Sequence, residues 1–506
     1  MDAISVGIWC LLPPIIAIGL ALITKEVISS LMIGIFSGAL IYSFNTGGGL
    51  PGAFSNTFTV MADNFDASMI IFLCLLGALV AVITMAGGSR AYGEWAAGKV
   101  KSPHTAQVAT SALGAMIFID DYFNCLTVGT VMKPVTDKFG ISREKLAYII
   151  DATAAPVCII APISSWAASV ISNLPDTGMG GMATFVSTIP FNLYAILTIV
   201  MLLTLSLVDL DFGPMARYQK EAKENGQAEI KNKVDTDELA GIETSPRGRV
   251  FDLLIPILAL IVFSVLSMLY TGGLFDGTGK GLFEAFGDTN ANLSLAMGGF
   301  GALIVAALLF IPRKLMGFRK FMSGVSVGVK SMVSACMILT LAWALKGICG
   351  ELSVAAYVSD IVGGSDLPSM LLPAIIFVVA AFLSFSTGTA WGTFGILIPI
   401  VVPLCEAMDP SLLIITLSAT LAGSVFGDHC SPISDTTILS STGAGCDHIR
   451  HVSSQIPYAI TVACCCFVGY LVAGFTKNVY ITLLVALALL AAAIAVMHRL
   501  AHKKAA

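Results

Sequence analysis

Apolar positions in this chain do not alternate with polar ones; they run on. Hydrophobic stretches occupy residues near 5–24, 27–44, 69–86, 145–171 and 184–208, and after a charged interval they resume near 251–270, 294–312, 331–346, 411–443, 455–475 and 479–497. A helix crosses the roughly 30 Å hydrocarbon layer with about 20 residues at a rise of about 1.5 Å each, so these runs predict crossings. Two further apolar segments, 103–136 and 370–403, are interrupted at their middles by "FIDDYFNC" and "FSTGTAWGT". Irregular backbone at membrane depth survives only against protein or a wet cavity, so these two predict re-entrant hairpins. The pattern as a whole predicts an all-α polytopic membrane protein with eleven crossings and two hairpins.

Composition agrees. Of 506 residues, 56% are hydrophobic and 12% charged, whereas a soluble domain carries about 25% charged residues. A net charge of −5 offers no basis for nucleic-acid binding. The opening stretch "MDAISVGIWCLLPPIIAIGLALITKE" lacks a basic n-region and a small-residue cleavage site, and is read as a first membrane helix. The 12 cysteines form no CxxC pair and fall mostly inside apolar runs, as in Cys464–Cys465–Cys466, which fits small polarizable packing residues.

Basic residues orient the layout. With the N-terminus outside, 23 of the 27 Lys and Arg fall on the cytoplasmic face; only Lys133, Lys280, Lys346 and Lys477 do not, and the outside segments 45–68 and 172–183 hold none. Residues 211–250, dense in charge, read as a solvated cytoplasmic linker between a first half, 1–210, and a second half, 251–475. Residues 476–506 add one helix and a basic cytoplasmic tail.

The halves share an order: three crossings, an interrupted hairpin, a crossing that turns polar, and one more. "DATAAPVCIIAPISSW" (151–166) matches "SATLAGSVFGDHCSPISDT" (418–436) in an Ala-Thr start and a Pro-Ile-Ser core, and "GTVMKP" (129–134) echoes "GILIP" (395–399). Five crossings per half start the second half on the opposite face, which is an inverted repeat, an architecture of secondary transporters. The Pro-Ile-Ser sites at 162–164 and 432–434 then predict broken helices whose freed backbone faces a site near the midplane.

The candidate site follows from convergence of those breaks and the hairpin tips. The first tip offers Asp120, Asp121 and Asn124; the second offers Ser386, Thr387, Thr389 and Trp391. One broken helix supplies Asp151, Thr153, Ser164, Ser165 and Trp166, the other Asp428, His429, Ser431, Ser434, Asp435, Thr436 and Thr437. Carboxylates among hydroxyls and carbonyls suit a hard cation, with Asp428, Asp435 and Thr387 as the candidate Na⁺ ligands. Ionisable groups at this depth cost about 2.5–3.5 kcal/mol each on insertion scales, so their number argues for use. Bland roles stand beside these: Asp151 as a cap, His429 as a buried hydrogen-bonded imidazole, Trp166 and Trp391 as packing. Asp428-His429-Cys430 cannot all face one ion from one turn. Asp447, His448 and His451 are expected at the cytoplasmic end in a solvated role. No HExxH occurs, and no Ser/His/Asp set has triad geometry, which argues against an enzyme. Broken helices in inverted halves favour alternating access over a channel.

The stretch "GDHCSPISDTTILSS" (427–441), with the preceding "SATLAGSVF", resembles the signature of the NhaC family of sodium/proton antiporters within the ion transporter superfamily. The resemblance spans both halves, roughly 5–475. It implies Na⁺/H⁺ exchange in a bacterial plasma membrane, no cofactor beyond the exchanged ions, and a scaffold carrying a mobile transport body that moves as an elevator. It also implies a homodimer. Relatives that move small carboxylates or amino acids keep a second substrate class open. A half-helix N-terminus suits a carboxylate, and Asp120 or Asp121 with Trp166 or Trp391 suits an ammonium.

Overall fold

The computed structural model describes residues 3–505 except 25, 119–120, 163, 175–179, 209, 232–243, 278, 283–284, 286–288, 355 and 358–367. Among the described residues all regular structure is helical. Ten helices among the described residues are long and apolar enough to cross a membrane, and eleven if Gly181–Phe191 and Leu193–Leu207, bent by 48°, form one span. The chain is an integral membrane protein.

Local chemistry sets the helix ends. Asp66 caps Ala67–Ala86 by accepting the Met69 N–H at 2.9 Å, and Gly87 stops it in the left-handed region at φ 84°. Ser102 caps Pro103–Met116 the same way through the Thr105 N–H at 3.2 Å, with proline at the first turn where its missing N–H costs nothing.

Three runs differ from expectation. The 145–171 run is three pieces, Arg143–Thr153, Ala155–Cys158 and Ser165–Asn173, because Pro156 and the Pro162 region interrupt the hydrogen-bond ladder. The two arms of the second hairpin, Ser369–Thr387 and Ala390–Met408, are each long and apolar enough to cross by themselves, longer than a re-entrant hairpin needs. Ahead of Val333–Glu351 lies an extra helix, Phe318–Ser331, with most of its polar side chains exposed.

Buried apolar side chains form two cores. One gathers residues 10–154, chiefly from Leu12–Thr24, Val27–Asn45 and Ala67–Ala86, together with Phe251–Thr271, Ala291–Phe310 and Val333–Glu351. The other joins residues 148–215 to Leu372–Thr387, Leu413–Cys430, His448–Thr476 and Val479–Ala505. Neither core is confined to one side of the central segment.

That central segment is not a free linker. Pro214–Lys231 is a helix that buries Met215 and Ala222, and Gln219 docks it by donating to Gly140 O at 2.8 Å and accepting the Ser142 N–H at 3.0 Å. Arg450 holds it from beneath, bonding Glu144 at 2.7 Å and Glu221 at 3.3 Å while its guanidinium lies 4.1 Å above the Tyr218 ring. Residues 244–250 are tied to the other core, with Ser245 N–H donating to Met85 O at 2.9 Å and Arg90 to Pro246 O at 3.2 Å. The charge density that marks this segment as solvated hides an amphipathic face. Arg450→Ala is expected to free the helix: losing charge-assisted bonds worth about 1.5 kcal/mol should raise tryptic cleavage between Arg217 and Lys231 roughly tenfold. Cleavage at the unmodified rate would show that the apolar face alone holds the helix.

The helices Asp121–Lys138 and Asp435–Ala444 cross at two glycines. A Cβ on Gly129 would stand 2.5 Å from the Gly443 carbonyl carbon, and one on Gly443 would stand 2.6 Å from Cys125 O. Backbone cannot yield as a flexible side chain does, so Gly129→Val should cost about 3 kcal/mol or more and remove the monodisperse peak in size-exclusion chromatography.

Candidate functional site

Both Pro-Ile-Ser sites are helix breaks, each restarted by a serine cap. Ser164 accepts the Ala167 N–H at 3.0 Å and donates to Cys158 O at 2.8 Å and Ala161 O at 3.0 Å. Leu413–Cys430 ends before Ser431, and Ser434 caps Asp435–Ala444 by accepting the Thr437 N–H at 3.3 Å. The hydroxyls therefore satisfy backbone groups that the break leaves open.

Each hairpin tip lies against one break. Asn124 donates to Gly114 O at 2.7 Å, Ile117 O at 2.9 Å and Thr153 O at 3.2 Å, fastening the first tip to the end of Arg143–Thr153. Thr153 turns its own hydroxyl back to Ile149 O at 2.8 Å. At the second tip, Gly388 takes φ 66° and comes so close to the second break that a Cβ there would stand 2.5 Å from Ile433 O. Ser431 donates to Phe385 O at 2.8 Å in the same contact. Thr387 spends its proton on Leu383 O at 2.8 Å, Thr389 caps Ala390–Met408, and Ser386 is buried beside them.

The restarted arms also pair with the opposite hairpin. Asp435–Ala444 lies along Asp121–Lys138, with Tyr122 O–H donating to Asp435 Oδ2 at 3.0 Å and Ser440 O–H to Cys125 Sγ at 3.2 Å. Ser165–Asn173 meets Ala390–Met408 through Trp166 and Trp391, whose rings are 5.0 Å apart, with Phe394 beside both. Trp166 is fully buried and its Nε1, like that of Trp391, has no hydrogen-bond acceptor.

Two polar clusters result. The first is acidic. Asp428, 4% exposed, receives Thr436 O–H at 3.5 Å on Oδ2, while its Oδ1 has no partner. Ser434 and Thr436 hydroxyls are 3.0 Å apart beside it, and Asp121 and Asp435 lie within its electrostatic reach. Asp435 accepts from Trp343 Nε1 at 3.2 Å as well as from Tyr122, and Lys346, one turn beyond Trp343, brings a positive charge near it. Carboxylates, hydroxyls and a helix break thus surround one small volume.

The second cluster centres on Asp151, 1% exposed. Its Oδ2 accepts from Gln455 Nε2 at 2.7 Å and Thr437 O–H at 3.1 Å; it lies 3.2 Å from His451 Nε2 and 3.8 Å from His429 Nε2. Gln455 also donates to His429 O, and Tyr194 O–H lies 2.7 Å from His429 Nδ1. Asp151 is therefore a hub joining four helices, not the end cap of its own.

Some expectations change. His451 is fully buried against Asp151, and His448 Nε2 lies 2.7 Å from Pro432 O with Nδ1 3.1 Å from Ser441, so neither has a solvated role. Packing of His448–Thr476 into the second core carries both inward. Asp447 does cap that helix, accepting the Arg450 N–H at 2.8 Å. Asp120 and the Ser165 side chain lie outside the described residues. Among the described residues no group of three or more His, Cys, Asp or Glu is arranged to hold a metal ion. Gln455, Tyr194, Tyr122, Trp343 and Lys346 are functional-site neighbours that sequence reasoning missed. Lys346 alone carried a signal, as one of four basic residues off the expected face.

Comparison with known proteins was informative. The family described as "Na+/H+ antiporter family" matches residues 157–475. A Haemophilus influenzae protein, itself uncharacterized, is 40% identical over 94% of this chain and 92% of its own length. The malate-2H⁺/Na⁺-lactate antiporter of Bacillus subtilis is 24% identical over 37% of this chain and 44% of its own. An uncharacterized Na⁺/H⁺ antiporter of H. influenzae is 32% identical over 20% of this chain and 24% of its own.

Proposed function

We propose, for a chain that belongs to the Na⁺/H⁺ antiporter family, that Na⁺ and H⁺ are exchanged by competition at the acidic cluster of Asp121, Asp428 and Asp435. The observation that carries this reading is Asp428: a buried carboxylate at a helix break, one oxygen without a partner. A vacant ionised cluster is costly to carry through a low-dielectric barrier, whereas Na⁺ or protons each neutralise it. Movement is then cheap only when one or the other is bound, and that is the coupling rule of an exchanger. Thr436 and Ser434 are the hydroxyls beside Asp428, and Thr387 is a further candidate ligand from the second hairpin. Membrane voltage contributes about 2.3 kcal/mol per charge per 100 mV, so unequal H⁺:Na⁺ exchange would be electrogenic. No cofactor beyond the two ions enters the cycle, and the chain acts as a transporter, not an enzyme.

The inverted repeat is supported by the reciprocal contacts: each tip against a break, and each restarted arm against the opposite hairpin. Two cores that each draw on both halves suit one body moving against another, as an elevator does. The orientation adopted is the one in which the central segment and C-terminus are cytoplasmic, in a bacterial plasma membrane. A homodimer is the assembly that the family resemblance favours.

A second reading keeps a small carboxylate or amino acid as additional cargo. It is favoured by the Bacillus subtilis relative and by the Trp166–Trp391 pair, which exceeds what a bare cation requires. Acid-interior proteoliposomes with a pH dye test both. Proton efflux on adding Na⁺ alone supports the first, and silence until an organic solute is supplied supports the second.

A further inference from the structure

We infer that the cavity at the edge of the first core, beside the hairpin helix Asp121–Lys138, is a binding site for a small organic carboxylate. This deepens the second reading above and rests on it.

The cavity has a volume of about 360 Å³, enough for an anion of about eight heavy atoms with its waters. Its walls come from Ala67–Ala86, Asp121–Lys138, the end of Asp435–Ala444 and the segment at Thr244. Three cationic side chains, Arg90, Lys133 and Arg143, line it against a single carboxylate, Asp137. Arg143 lies 3.6 Å from Asp137 and donates to Gly445 O at 2.9 Å, so it is fixed in place. Arg90 is 3.6 Å from Glu94, which lies outside the lining. Lys133 lies close to the same turn as Arg143: a Cβ on Gly445 would be 2.5 Å from Lys133 Nζ and 3.4 Å from Arg143 Nη1. Positive charge is thus concentrated on one wall.

The rest of the lining fits an organic anion and not a bare one. Thr130 and Thr442 add hydroxyl oxygens to the lining, each donating its proton within its own helix, to Leu126 O at 2.7 Å and Ile438 O at 2.8 Å, and Leu126 adds an apolar side chain. Along one helix face the lining positions 126, 130, 133, 134 and 137 repeat at the 3.6-residue period, and Tyr122, which bonds Asp435, is the next position inward. The cavity therefore points down the helix toward the acidic cluster. A carboxylate held at Lys133 would lie about 18 Å of helix rise from Asp121, at about 1.5 Å per residue. Guanidinium and ammonium groups hold carboxylates through charge-assisted bonds, and a methylene body can rest on Leu126.

The test is binding of succinate to the purified full-length protein in detergent by isothermal titration, with succinamide as the uncharged isostere and inorganic phosphate as a competitor. The expected result is saturable succinate binding, no succinamide binding, weak displacement by phosphate, and at least a tenfold loss of affinity in Lys133→Gln and in Arg90→Gln. Both variants should elute from size-exclusion as the parent does and melt at the parental temperature. Absence of saturable binding, equal binding of succinamide, or displacement by phosphate at the succinate concentration overturns the inference. So does succinate binding that survives both variants and is lost instead in Asp428→Asn, an outcome that would leave the ion-exchange reading intact.

Discussion

Asp428→Asn is expected to abolish Na⁺-driven proton exchange while leaving the protein folded. Asparagine keeps the size and one acceptor oxygen but gives up the charge, and the loss of a charge-assisted ligand worth about 3 kcal/mol lowers ion affinity roughly a hundredfold. The fold should tolerate the change because Asp428 Oδ1 bonds nothing and its neighbours are the Thr436 hydroxyl, 3.5 Å away, and the Ser434 hydroxyl, which lie 3.0 Å apart and can bond each other. An amide there leaves no neighbour stranded. Removing a buried uncompensated charge can even stabilise the protein, so the apparent melting temperature should be unchanged or higher. The pH-dye assay on proteoliposomes checks the first half and heating followed by size-exclusion the second. Parental exchange in Asp428→Asn would remove this residue from the ion site. Asp447→Asn is the matched control: its carboxylate caps His448–Thr476, an amide oxygen caps about as well, and both stability and exchange should stay at the parental level.

What was legible in the sequence and what was not divide along a physical line. The breaks were legible because proline next to serine is punctuation that acts on its own backbone: Pro432 and Ser434 stop one helix and start another with no help from elsewhere. The apolar runs were legible because lipid imposes a length. The acidic cluster was half legible. Asp121, Asp428 and Asp435 announce themselves as charges in oily surroundings, but Tyr122 and Trp343, which hold Asp435, look like packing aromatics until the fold joins them. The Asp151 hub was not legible at all. His451 and Gln455 lie some 300 positions from Asp151, and on their own helix they read as the polar end of a span. Nor was the docking of Pro214–Lys231, because a helix with one buried stripe in a charge-rich segment resembles a solvated linker by composition.

Asp151→Ala should produce the largest loss of stability of any single change at the site, about 3–5 kcal/mol, the range seen when one partner of a buried polar assembly is removed. Gln455, Thr437 and His451 all direct a polar atom at Asp151 Oδ2, and His429 lies just beyond. Alanine leaves each of them buried without its partner, and a stranded buried group costs about 1–3 kcal/mol. The effect should spread because the hub ties Arg143–Thr153 to Leu413–Cys430, Asp435–Ala444 and His448–Thr476 at once. Asp151→Asn should fall between, since an amide oxygen can still accept from Gln455 but the amide nitrogen faces donors. The same logic separates a structural hub from a transport residue. If Asp151 is structural, His451→Ala or Gln455→Ala combined with Asp151→Ala should cost little beyond Asp151→Ala alone, a combined cost well below the sum of the single costs in a double-mutant cycle, and surviving folded protein should exchange ions at near the parental rate. Full stability of Asp151→Ala together with lost exchange would invert the assignment and put Asp151 on the ion path beside Asp428.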